Sequence, residues 1–220
     1  MRTIVQGQTM SETTAASAFS KSRLEALTDG VFAVAMTLLV IELKVPEQAS
    51  VGVPRDLIVS VVNLLPKFVS WIISFFVLGI FWFTHHRLFH HCRAVDGPLL
   101  WLNILYLSFV SLMPFSSALV GEYPRLAFAQ IFYSSNMMVL SGVGLLKNRY
   151  VFRHPELWAA TLTLGFYRAA RFRKLGLIVV ALAAIGVTTI VPGAGNSAFM
   201  LMIPISILSR RIEERSPATR

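Results

Sequence analysis

The sequence predicts an all-α, polytopic membrane protein with six transmembrane helices per subunit and both termini in the cytoplasm. Three observations predict it. Of 220 residues, 55% are hydrophobic and only 14% are charged. The apolar residues gather in six runs, and roughly 17 to 25 such residues cross a bilayer. Sixteen of the 20 lysines and arginines then fall on one side of the membrane, as cytoplasmic segments require.

The runs cover about residues 24–43, 60–83, 98–120, 126–146, 175–191 and 197–209. The first begins in a charged segment and passes from Asp29-Gly30 into apolar residues. In the second, Pro66 starts or kinks the membrane portion, and Lys67 snorkels at the outer end. Its inner end, Phe81 to Arg87, mixes interfacial aromatics with histidines. Asp96-Gly97-Pro98 opens the third run, with proline near a first helical position. Residues 147–174 are basic and aromatic, which predicts a helix lying on the cytoplasmic membrane surface. Pro192 to Asn196 predicts a tight turn that makes the last two runs a hairpin. The sixth run is short and contains Pro204, so a five-span arrangement is the alternative.

With the N-terminus inside, the outer side keeps only Lys44, Arg55, Lys67 and Arg125. The net charge of +9 therefore follows from topology and anionic lipid headgroups, and no nucleic-acid partner is expected. Cys92 is the only cysteine, which leaves no intrachain disulfide. Residues 1–22 lack an apolar segment of the signal-peptide type, and no cleavable signal is expected. Ser11 to Ser22 is rich in Ser, Thr and Ala and predicts disorder.

Enzymatic signatures are missing: there is no Gly-Lys-Ser/Thr phosphate loop, no Gly-x-Ser-x-Gly elbow and no His-Glu-x-x-His. The run His85-His86-…-His90-His91-Cys92 has ligand types for a metal but no carboxylate, so no metal and no cofactor is expected. Acids within the spans are limited to the end residues Asp29 and Glu42, whereas a proton-coupled transporter places a carboxylate nearer mid-depth.

The first helix carries the strongest functional signal. A carboxylate at the hydrocarbon edge costs on the order of 2 to 3 kcal/mol without a partner. Arg23, Trp82, His85 and His86 lie at the matching depth to pair with Asp29, and Trp82 and His86 are i, i+4 neighbours. Past Gly30, the stretch to Leu43 holds one hydroxyl, Thr37. Val34, Thr37, Leu38 and Ile41 fall at i, i+3, i+4 and i+7 and share a face. Core packing is the common use of such a stripe. Several copies around an axis would instead form a pore, with Thr37 hydroxyls between hydrophobic constrictions. The opposite face, with Phe32, Ala35 and Leu39, is also apolar or small, which predicts a helix wrapped by protein or lipid all round.

The pattern Arg23-x-x-x-Leu27-Thr28-Asp29-Gly30-Val31-Phe32-Ala33, with Trp82-x-x-His85-His86-Arg87, resembles the endolysosomal potassium channel family (transmembrane protein 175) and its prokaryotic relatives. The family signature is Arg-x-x-x-Phe-Ser-Asp; Leu27 and Thr28 replace its Phe and Ser. The resemblance implies a bacterial plasma-membrane channel passing potassium ions, a homotetramer whose pore is lined by four copies of the first helix without a Thr-Val-Gly-Tyr-Gly filter. It implies constrictions at Val34 and Ile41 and a hydroxyl layer at Thr37. It also implies a network of Arg23, Asp29, Trp82 and His86 that holds the helix. The family has Ile or Leu where this chain has Val34, which implies a wider constriction and weaker selectivity. Glu42 is placed to attract cations at the outer mouth. The expected organisation is a disordered tail over 1–20, a channel unit over 21–212 and a second cytoplasmic tail over 213–220. A secondary transporter or proton-coupled cation exchanger is the alternative.

Overall fold

Four helices are long and apolar enough to cross a membrane among the residues that the computed structural model describes, 20–46, 54–159 and 162–214. They are α1 (Lys21–Ile41), α3 (Leu65–His90), the kinked pair α4 (Gly97–Ser111) and α5 (Met113–Glu122), and α7 (Leu164–Ile190). A short α2 (Pro54–Asn63) precedes α3, a long α6 (Ala127–Arg153) lies between α5 and α7, and α8 (Met202–Glu214) follows a 3-10 segment at Gly195–Leu201. The expected tail at 1–19, most of the first loop and residues 215–220 lie outside the described residues.

Two prolines explain the breaks. Pro66 and Pro114 each sit in a first helical turn and lack an amide proton, so the ladder stops at Leu64 and Leu112. The second run consequently starts at Leu65 and continues to His90. Asp96 caps α4 by accepting from the Leu99 amide at 3.0 Å, and Thr163 caps α7 by accepting from that of Phe166 at 3.2 Å.

The six-span expectation meets these four apolar crossings. α6 has 27 residues, enough to span, but its sequence includes Gln130, Asn136, Lys147, Asn148 and Arg149. α8 has only 13 residues. It extends two residues into the segment expected as a tail, because Glu213 pairs with Arg87 of α3.

The basic segment 147–174 is not a surface helix. Its first part is the end of α6, a 3-10 turn at Pro155–Leu157 breaks the chain, and its last part begins α7. Amphipathicity alone suggested a lipid-facing helix. The difference arises because Lys147, Arg173 and Lys174 are buried against polar partners inside the bundle.

The main core joins Phe32, Leu39, Leu78, Phe81, Tyr106, Met113, Tyr133, Leu140, Ala181 and Phe199. In a lipid surround, packing and interhelical hydrogen bonds hold such helices, each bond contributing about 0.6 to 2 kcal/mol. Ser70 donates to the Ser117 carbonyl at 2.9 Å, Ser74 meets Tyr133 at 3.0 Å, and Asn136 donates to Ser116 at 3.2 Å. The turn expected at Pro192 to Asn196 is present, with Gly193 at a φ of 95° that a side chain would strain. A Cβ on Gly195 would lie 2.0 Å from Thr188 Oγ1, so only glycine lets this turn pack on α7.

Candidate functional site

α1 packs on α3, α4 and α5 with one face only. Phe32, Ala35 and Leu39 on that face are 1%, 2% and 2% exposed. Val34, Leu38 and Ile41 are 56%, 41% and 63% exposed, and Thr37 between them is exposed as well. The rest of the helix surface is thus uncovered by its own chain. An open groove of about 480 Å³ runs along the uncovered face, lined by Leu27, Gly30, Val34, Leu38 and Ser111 among others.

The Thr37 hydroxyl donates to the Val34 carbonyl of its own helix at 2.9 Å. That bond occupies its one proton and leaves the oxygen lone pairs as its remaining polar feature. Lone pairs are what a cation coordinates. Val34 and Ile41 lie about one turn to either side, so an apolar ring, an oxygen ring and a second apolar ring would follow one another in a symmetric assembly.

The expected anchoring group comes together only in part. Trp82 Nε1 donates to Asp29 Oδ1 at 2.8 Å, which gives the carboxylate a neutral donor. Trp82 also stacks on His86, with ring centroids 5.7 Å apart and planes at 22°. Arg23 does not join them. It is six residues from Asp29, roughly 600° of helical turn, so the two side chains leave α1 about 120° apart. The guanidinium is exposed and has no ion pair among the described residues. Glu42 caps the other end of α1 and is exposed beside a cavity of about 250 Å³ that Lys67, Trp71 and Glu122 also line. Lys67 and Glu122 form an ion pair there.

A second anchor lies deeper. Thr28 is fully buried; it donates to the Leu24 carbonyl at 2.8 Å and accepts from Asn103 Nδ2 at 2.8 Å. Asn103 Oδ1 accepts from Lys147 at 2.8 Å, and Lys147 Nζ lies 2.9 Å from His85 Nδ1 and 3.9 Å from the Tyr106 ring centre. Lys174 of α7 donates to the Gly144 carbonyl at 2.7 Å and to Asn148 Oδ1 at 2.8 Å. A Cβ on Gly144 would fall 2.9 Å from the Lys174 stem, so the glycine makes room for it. α1 is therefore keyed by a hydroxyl, an amide and an amine to α4, α6 and α3.

Sequence reasoning placed His85 near Asp29 and as one of a run of histidines. Its partner is Lys147 instead, while Cys92 donates to the Leu88 carbonyl. No motif marks Asn103 or Lys147 as partners of the first helix. The available signal was an amide in the middle of an apolar run and a lysine at the end of another, both of which demand partners in hydrocarbon.

Residues 23–114 match a family model described as endosomal/lysosomal potassium channel TMEM175. A potassium channel of a Chryseobacterium species is 37% identical over 127 residues, 58% of this chain and 58% of that one. A potassium channel of Streptomyces collinus is 39% identical over 103 residues, 47% of this chain and 48% of that one. The chain thus spans about half the length of the curated relatives it matches. The crystal structure of a lysosomal potassium-selective channel TMEM175 homolog from Chamaesiphon minutus shares the fold with a TM-score of 0.72 at 28% identity, over 86% of this chain and 97% of that one. The chain is thus similar, over residues 23–114 and in its fold, to channels of the TMEM175 type.

Proposed function

We propose that this chain forms a potassium-preferring cation channel of a bacterial plasma membrane, with four copies arranged so that the uncovered faces of α1 surround a central path. The observation that supports it most is the division of α1. One side is fixed by Thr28, Asn103 and the core, and the other presents Val34, Thr37, Leu38 and Ile41 uncovered by its own subunit. Both termini then lie in the cytoplasm, where the basic residues concentrate and anionic headgroups attract them. The names of the bacterial relatives support potassium as the permeant ion.

An ion entering this path loses part of its hydration at the Val34 and Ile41 rings. Four Thr37 oxygens between them replace some of the lost water, favouring the cation that dehydrates more easily. Potassium does so more readily than sodium. Glu42 raises the local cation concentration at the outer end.

Reversal potentials in a planar bilayer, with potassium on one side and sodium on the other, test this reading. Ohmic current should reverse on the potassium side of zero, and Thr37→Ala should move it toward zero. An unchanged potential in Thr37→Ala removes the hydroxyl layer, and a slow, saturating flux in place of current assigns the chain to transporters. At low salt, Glu42→Gln should lower conductance. Equal conductance would leave Glu42 without this role.

A further inference from the structure

A groove of about 500 Å³ between α6 and α7 has no part in the proposed ion path. Arg149, Arg153 and Arg171 line it, with Tyr167, Phe152, Leu145, Leu146 and Leu175. No acidic side chain lines it, and none of the three arginines has an ion pair among the described residues. The surface is built in tiers. Leu145 and Leu146 lie about one helical turn deeper than Arg149, and Arg153 about one turn further out. On antiparallel α7, Leu175, Arg171 and Tyr167 repeat the order. Phe152 and Tyr167 stack across the gap with ring centroids 4.3 Å apart, bracing the two helices at the level of Arg153.

We propose that this groove is a binding site for an anionic phospholipid of the leaflet facing the start of α1, with a two-phosphate headgroup of the cardiolipin class as its best match. Guanidiniums hold phosphate oxygens in a bidentate fork, and three of them exceed what one phosphate needs. The leucines below offer an apolar wall to the acyl chains, which a soluble phosphate cannot use. Basic pockets at this depth between membrane helices suit such headgroups. The inference rests on the membrane reading of the chain and is independent of ion selectivity.

Native mass spectrometry of the full chain, released from detergent with a defined amount of cardiolipin, reads the occupancy directly. Arg149→Gln/Arg153→Gln/Arg171→Gln should weaken binding about a hundredfold, and each single change about fivefold. The control Arg93→Gln/Arg210→Gln/Arg211→Gln removes equal charge elsewhere and should retain binding. If the triple variant folds poorly, the single Arg171→Gln supplies the comparison. Equal loss in the control would reduce the effect to bulk charge and overturn the site. So would unchanged binding in the groove variants. Inorganic pyrophosphate giving the same thermal stabilisation as cardiolipin would show that a free anion is the ligand. A shift in oligomeric mass with lipid occupancy unchanged would assign the groove to a subunit contact, and would overturn the proposal as well.

Discussion

Replacing Val34 by asparagine is expected to raise cation flux about three- to tenfold and to bring the potassium–sodium reversal potential close to zero. An apolar ring resists ions because water leaves it; an amide of similar size holds water and lowers the barrier by roughly 1 kcal/mol. The effect should be specific to the uncovered face. Ala35 is one residue away and 2% exposed, so Ala35→Asn buries an amide among core side chains. That costs about 1 to 3 kcal/mol and should reduce folded yield, leaving the flux per assembled molecule unchanged. Val34→Leu should act in the opposite direction, with smaller flux and stronger discrimination. Bilayer recordings of the three purified variants check all of this. Equal flux from Val34→Asn and the unmodified chain would remove the constriction from Val34.

Asn103→Leu is expected to lower the thermal midpoint by about 5 to 10 °C, from a loss of about 2 to 3 kcal/mol. The substitution leaves Thr28 Oγ1 without its donor and takes one partner from the buried Lys147 amine. The amine is the larger part, because it keeps only His85 Nδ1 and the Tyr106 ring for its three donors inside the bundle. α1 also loses the bond that sets its rotation, so the reversal potential of the assembled protein should shift too. Removing both ends together should do less harm. Asn103→Leu/Lys147→Met should recover part of the lost stability, and a double variant less stable than the single would contradict a network centred on Asn103.

The general architecture was legible in the sequence; the interior was not. Run length revealed α1, α3 and α7 because lipid demands unbroken apolar helices, and Pro66 and Gly193 marked real breaks. The Val34–Ile41 stripe could be drawn on one face, yet periodicity could not tell a packed side from an uncovered one when both are apolar. Contacts with α3, α4 and α5 decide that. Lysines read as surface groups by composition, and Lys147 and Lys174 are exceptions because Asn103, Asn148 and the Gly144 carbonyl wait for them inside. These partners are 26 to 44 residues distant along the chain, beyond any local pattern. Asp29 could be recognised as needing a donor, and Trp82 supplies it. Arg23 was grouped with them by motif, although helical spacing puts it on another flank.

Thiol modification along α1 tests the central claim most directly. Single cysteines replace Val34, Thr37, Leu38 and Ile41 on one face, and Phe32, Ala35 and Leu39 on the other, in vesicles whose cation flux is recorded. The native Cys92 gives little background. Its thiol is buried, and that burial pushes its pKa up to about 11, which disfavours the reactive thiolate. A pore along the uncovered face predicts rapid loss of flux with a charged methanethiosulfonate at positions 34, 37, 38 and 41, slowed by permeant potassium, and no loss at 32, 35 and 39. Block at the packed positions, or full flux after modification of Val34→Cys and Thr37→Cys confirmed by mass, would contradict it.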